Sequence, residues 1–186
     1  MKVLTCSRFF PKGHPKAGQE TDFVEKVYNS LYPGIALDNI PGSLRQIIDD
    51  YALTNSLPKH HTIRAGNRWK VGDMISLRIW SDKPYRSKQI EFAQVEVKKT
   101  WEIEFRPVKY NGEVVIMGFI NGKLVDDLQA LQLANNDGLT LEDFERWFCP
   151  VGTKFILGMP IFTGQIICWS DAVEYIPSTL TEKSNA

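Results

Sequence analysis

The chain has 186 residues, 43% of them hydrophobic and 11% aromatic, and a formal net charge of zero. That length and apolar content suit a single domain over residues 1–186 with a substantial core and exclude a disordered chain. The charge balance excludes a whole-surface electrostatic grip on nucleic acid, so any such contact has to come from a local patch.

Taken in order, the chain opens with a β-like run from Lys2, and Phe9–Gly18 reads as a loop by its Pro and Gly content. Gly13 and Gly18 have the glycine spacing of a phosphate-binding P-loop. Gln19 and Glu20 stand where that motif needs Lys and Ser/Thr, so a structural loop is expected instead. Thr21 is placed to cap a helix running to about Leu31, with Phe23, Val24, Val27 and Leu31 at helical spacing and Pro33-Gly34 as its stop. A second helix is predicted over Ser43–Leu53, with Leu44, Ile47, Ile48 and Tyr51 on one face. After Lys59–Arg64 comes a turn at Val71-Gly72-Asp73, then a strand over Met74–Trp80. Ser81–Lys88 is a basic loop containing Lys83, Arg86 and Lys88.

Alternation predicts strands over Gln89–Lys98, Thr100–Arg106 and Glu113–Ile120, with hairpin turns at Asn111-Gly112 and Asn121-Gly122. Leu124–Ala134 fits a helix with Leu124, Leu128, Leu131 and Leu133 as its apolar residues, followed by a loop at Asn135–Gly138. Thr140 and Asp143 have capping-box spacing for a helix that turns Leu141, Phe144, Trp147 and Phe148 inward and stops before Pro150. Lys154–Leu157 and Gln165–Trp169 read as closing strands, and residues 177–186 as a flexible tail. Many short, mostly antiparallel strands with helices at both ends of the order predict an α+β fold around a curled sheet or small barrel. No apolar run is long enough to span a bilayer, and Met1–Cys6 lacks a signal-peptide core. Cys6, Cys149 and Cys168 are odd in number and widely spaced, unlike a disulfide framework or a zinc ribbon. A cytoplasmic protein with no cofactor and no membrane partner is expected.

Lys59-His60-His61-Thr62-Ile63-Arg64 concentrates the reactive side chains. Adjacent histidines on a strand point to opposite faces, and the only other histidine is His14, so no metal site is expected. Lys59 and Thr62 admit a base-and-nucleophile reading: a threonine hydroxyl attacks only after a base takes its proton, and a desolvated lysine can be that base. The spacing is odd, so the two converge only if the chain bends after Pro58. A surface lysine and a strand threonine are the plainer alternative. Asp137 has a turn role available before Gly138, and Trp69, between Arg68 and Lys70, can stack a base while the cations hold phosphate.

These stretches resemble an ASCH domain of the PUA-like superfamily, and among its members the bacterial N4-acetylcytidine amidohydrolases. The pattern is Lys-x-x-Thr-Ile-Arg, a Gly-Asp turn opening a strand, and an acidic residue shortly before Leu/Met-Thr and a helix. Here it reads Lys59–Arg64, Gly72-Asp73 and Asp137-Gly138-Leu139-Thr140. The resemblance covers residues 58–169; residues 1–57 are an N-terminal elaboration that resembles the front ends of longer, often phage-encoded members. It implies a six-stranded β-barrel with flanking helices and a cleft for RNA or a modified nucleobase. Carried across, Lys59 would activate Thr62, Thr62 would attack an acyl carbonyl on an exocyclic amine, and Asp137 would replace a proton-transferring glutamate. Arg64 would hold the strand or a ligand oxygen. Asp137 is one methylene shorter than that glutamate, and His60 and His61 replace smaller residues. The expectation is a module binding RNA or a nucleobase at Lys59, Thr62, Arg64 and Asp137, with His61, Arg68 and Trp69 as further contacts. The alternatives are an amidohydrolase acting on N4-acetylcytidine-type nucleosides, and a phage or mobile-element accessory protein with a vestigial site.

Overall fold

The computed structural model describes residues 1–34, 36–150 and 152–175; the tail expected over 177–186 lies outside them. Its strands are β1 (Lys2–Thr5), β2 (His61–Ala65), β3 (Met74–Trp80), β4 (Gln89–Glu96), β5 (Lys99–Tyr110), β6 (Glu113–Ile120), β7 (Lys123–Leu124) and β8 (Phe162–Cys168). Its helices are α1 (Phe23–Leu31), α2 (Asp50–Asn55), α3 (Asp127–Asn136) and α4 (Leu141–Phe148). The fold is α+β with mostly antiparallel strands, in two sheets of order β1-β3-β4 and β2-β8-β5-β6-β7. Only β1 with β3 is a parallel pair among the described strands, which requires the long crossover through α1, α2 and β2. Among the described residues the ladders leave two open sheets, and no closed barrel is found. Val97 and Lys98 carry the chain from one sheet to the other: Val97 N–H donates to Asp73 O at 2.9 Å and Lys98 N–H to Cys168 O at 2.8 Å.

Alternation on β3 buries Ile75, Leu77 and Ile79, which share one core with Val27 of α1, Ile103 of β5 and Ile166 of β8. The hairpins form where Asn-Gly pairs predicted them. Asn111 and Gly112 have φ of 49° and 87°, and Asn121 and Gly122 48° and 77°, the left-handed pairs that tight hairpin turns need.

Four local expectations are corrected. Thr21 does not cap α1; its hydroxyl donates to Ser7 O at 2.7 Å, and Asp22 takes the cap position with no side-chain cap bond. The helix expected over Ser43–Leu53 shrinks to α2, because Glu25 Oε1 captures the Asp49 N–H at 2.9 Å and Asp49 in turn caps Ala52 N–H at 2.7 Å. The next helix starts at Asp127, since Leu124 pairs with β6 and Asp126 forms a capping box with Gln129. Asn135 and Asn136 complete this helix, and Leu128 and Leu131 face outward while Leu133 and Ala134 are buried. Lys154–Leu157 is not a strand. Ahead of β8 the chain touches β5 through Gly158 N–H to Pro107 O and Ile161 N–H to Phe105 O, and Pro160 between them has no N–H to extend a ladder. The predicted α4 cap is present: Thr140 Oγ1 accepts from Asp143 N–H at 3.1 Å, and Phe144 is buried.

Candidate functional site

Lys59 lies just outside β2, where Pro58 delivers the chain between two helices. Its N–H donates to Lys26 O of α1 at 2.8 Å, and the His60 N–H donates to Asn136 O of α3 at 2.8 Å. Residues 57–60 thus lie outside the sheet, held by α1 and α3, and the strand begins at His61. Asp137 is the C-cap of α3, and Gly138 follows with φ of 76°. A Cβ on Gly138 would sit 3.2 Å from the Lys59 Cβ and 3.2 Å from the Lys26 Cδ. The glycine thus permits both the left-handed turn and the close approach that brings Asp137 onto Lys59.

Lys59 Nζ donates to Asp137 Oδ1 at 2.6 Å and to Asp137 O at 2.5 Å, and it stands 4.2 Å from the centre of the Phe23 ring. The two residues are 1% and 5% exposed, so the ion pair is almost wholly buried. Burial pulls the Lys59 ammonium below the ordinary lysine range, against the opposing pull of Asp137. Burial would push the Asp137 carboxyl up, but the Lys59 charge and the neighbouring His61 outweigh it, and Asp137 stays below its usual value. The C-terminal end of α3 adds its negative dipole end to the partners of the ammonium.

His61 and Tyr175 extend this pair into a buried polar chain. Asn136 Nδ2 donates to the Tyr175 hydroxyl at 3.1 Å, which leaves that hydroxyl hydrogen free for His61 Nε2 at 2.6 Å. The His61 proton then belongs on Nδ1, which is 3.5 Å from Asp137 Oδ1. That separation is too long for a well-formed hydrogen bond, and Nδ1 has no other partner among the described residues. Burial lowers the His61 pKa and raises that of Tyr175, so both are neutral near pH 7. Tyr175 carries no local sequence signal; only the fold, which stacks it edge-on against His61 and Trp101, reveals it.

The other expected contacts distribute differently. Alternation along β2 puts Thr62 and Arg64 on the face opposite His61 and Ile63. Thr62 is buried, and among the described residues no hydrogen bond reaches its hydroxyl or joins it to Lys59. Arg64 Nη2 donates to Thr5 O at 2.7 Å, tying β2 to the end of β1. Arg68 is exposed, with its guanidinium carbon 5.0 Å from the centre of the Trp69 ring. Trp69 is only 3% exposed; Gln165 holds its backbone through both amide atoms, at 3.0 and 2.8 Å, so its ring is a packing group here rather than an open platform. His60 is half-buried and its carbonyl accepts from Trp169 N–H at 3.2 Å. Among the described residues no group of three or more His, Cys, Asp or Glu is placed to hold a metal ion. No helix among them is long and apolar enough to cross a membrane.

Lys59, Asp137 and His61 therefore meet and Tyr175 joins them, while Thr62 and Arg64 stand on the face of β2 opposite His61. Asp137 Oδ2, the Thr62 hydroxyl and His61 Nδ1 are polar atoms of this group to which no described residue forms a hydrogen bond. The sequence matches no protein-family model, no curated protein and no solved structure.

Proposed function

We propose that this chain is an ASCH/PUA-like module, its two sheets corresponding to the halves of a small barrel, that binds RNA or a modified nucleobase at Lys59, Thr62, Arg64 and Asp137. The observation that carries the reading is the buried Lys59–Asp137 pair. Removing two charges from water costs several kcal/mol per ion, and an apolar pair of similar volume is commonly as stable or more so. Such a pair is therefore better explained by use than by stability. The unclaimed Asp137 Oδ2 can accept from an exocyclic amine, and the Thr62 hydroxyl can donate to a ring carbonyl or a ribose oxygen. The short motif shared with the ASCH pattern supports the choice of nucleobase chemistry.

A second reading has one observation in its favour. Burial moves the Lys59 amine in the direction that a general base requires. In that case Lys59 acts as the neutral amine: it takes the Thr62 Oγ proton as Thr62 attacks the acyl carbon and passes it to the exocyclic amine as the C–N bond breaks, and water then hydrolyses the Thr62 ester to release the carboxylic acid.

Incubation with N4-acetylcytidine, followed by chromatography for cytidine, separates the two. The binding reading expects nucleoside or RNA binding without cytidine, and weaker binding in Lys59→Ala and Arg64→Ala. Unchanged affinity in both variants overturns this site, whereas cytidine release abolished by Thr62→Ala establishes the hydrolase.

A further inference from the structure

The β3–β4 loop carries an aromatic and cationic surface that the Lys59 site does not use. Trp80 ends β3, Gln89 opens β4, and the Ser81 N–H donates to Lys88 O at 2.9 Å to close the loop between them. Inside it, Asp82 N–H donates to Ser87 Oγ at 3.0 Å, Ser87 Oγ donates to Lys83 O at 3.0 Å, and Arg86 N–H donates to Lys83 O at 3.1 Å. This internal scaffold holds Tyr85 at the tip, 88% exposed, with its ring 5.3 Å from that of Trp80 and inclined at 51°. Tyr85 has φ of 62°, a conformation that glycine takes freely and a bulky side chain adopts only under strain. A tyrosine kept there against that strain, and turned out to solvent, is placed for contact.

Lys83, Arg86 and Lys88 surround it, all exposed, and form no ion pair among the described residues; Asp82 is the one carboxylate in the loop. We propose that this loop grips single-stranded nucleic acid, stacking a base on the exposed face of Tyr85, whose ring Trp80 supports, while the three cations hold the flanking phosphates. The inference deepens the RNA reading above and rests on it for the partner. The loop also connects to that site: Gln89 Nε2 donates to Thr5 Oγ1 at 3.4 Å, and the Thr5 carbonyl accepts from Arg64. Thr5 thus links the base of the loop to the strand that carries Arg64. One exposed tyrosine with no amphipathic helix behind it does not suit insertion into a bilayer.

The test is fluorescence anisotropy of a labelled mixed-sequence RNA 12-mer, titrated with the full chain at several salt concentrations. Tyr85→Ala is expected to weaken binding about tenfold. The Lys83→Ala/Arg86→Ala/Lys88→Ala variant is expected to weaken it further and to flatten the log–log salt slope by about 2. Tyr85→Gly relieves the backbone strain, so it should melt at or above the parent temperature while still losing affinity, a combination that a structural role would not give. Affinity unchanged in all three variants overturns the loop surface, as does binding of the loop to anionic phosphatidylserine vesicles but not to RNA. Oligonucleotide binding lost in the loop variants but kept in Lys59→Ala and Arg64→Ala retains the loop and overturns the Lys59 site. The opposite pattern retains the Lys59 site and overturns the loop.

Discussion

At Lys59 the local physics is a charge held out of water by three partners: the Asp137 carboxylate, the Asp137 carbonyl and the Phe23 ring face. Removing one member of a buried pair strands the other. Lys59→Met is therefore expected to lower unfolding free energy by about 3–5 kcal/mol in urea titrations, and Lys59→Met/Asp137→Leu to recover most of that loss. His61 sets a pH signature. Its folded pKa lies below the ordinary 6.5, so between the two values the unfolded chain binds a proton that the folded protein refuses. Stability from this group is full above pH 6.5 and falls as the pH drops through the folded value. His60 shifts in the same direction, and the depressed Asp137 extends the loss below its ordinary value of 3.8. Melting temperatures between pH 7 and 5 should decline in the parent protein and decline less in His61→Phe; equal slopes would remove His61 from this account.

Among the elements, β2 has β8 as its one sheet neighbour among the described residues. At that seam a Cβ on Gly164 would lie 2.3 Å from the Arg64 carbonyl oxygen and 2.8 Å from the Phe162 ring. Backbone cannot yield as a side-chain tip can, so Gly164→Ala is expected to cost about 3 kcal/mol or more and to splay the two strands. Backbone amides of Thr62–Arg64 should then lose protection in hydrogen exchange while those of β3 keep theirs. Helix α4 offers a milder case: Thr140→Ala removes the cap on the Asp143 N–H and should cost about 1 kcal/mol by thermal unfolding. The seam and the cap differ in legibility. Thr140 announced its cap because capping is a matter of three residues. Gly164 announced nothing, since its neighbours Arg64 and Phe162 meet only through strand pairing. The helix predicted over Ser43–Leu53 failed for a related reason: Glu25, far back in the chain, diverts the Asp49 amide. Lys59 and Asp137 were legible through a spaced motif, whereas Tyr175 and the β1–β3 pairing were not, because no local pattern encodes a contact of that span.

Across the whole molecule, the three thiols report how evenly the core is closed. Cys6 and Cys168 are buried, and burial pushes both thiols up, Cys168 to about 11, while Cys149 is half-exposed at the end of α4. Titration of the native protein with a disulfide reagent at pH 8 should modify Cys149 quickly and release the other two only on unfolding; three fast thiols would contradict this core. The pairing of β2 with β8 also sets a timetable. Among the described strands, the one that leads from Lys59 pairs only with β8, completed when Cys168 has been made, about 5–20 s after Ala65 at ordinary rates of synthesis. During that interval an unpaired strand edge rich in hydrogen-bonding groups waits on the nascent chain. The lysine site is thus among the last parts of the protein to exist, and a chain cut short before β8 carries the whole motif without ever assembling it.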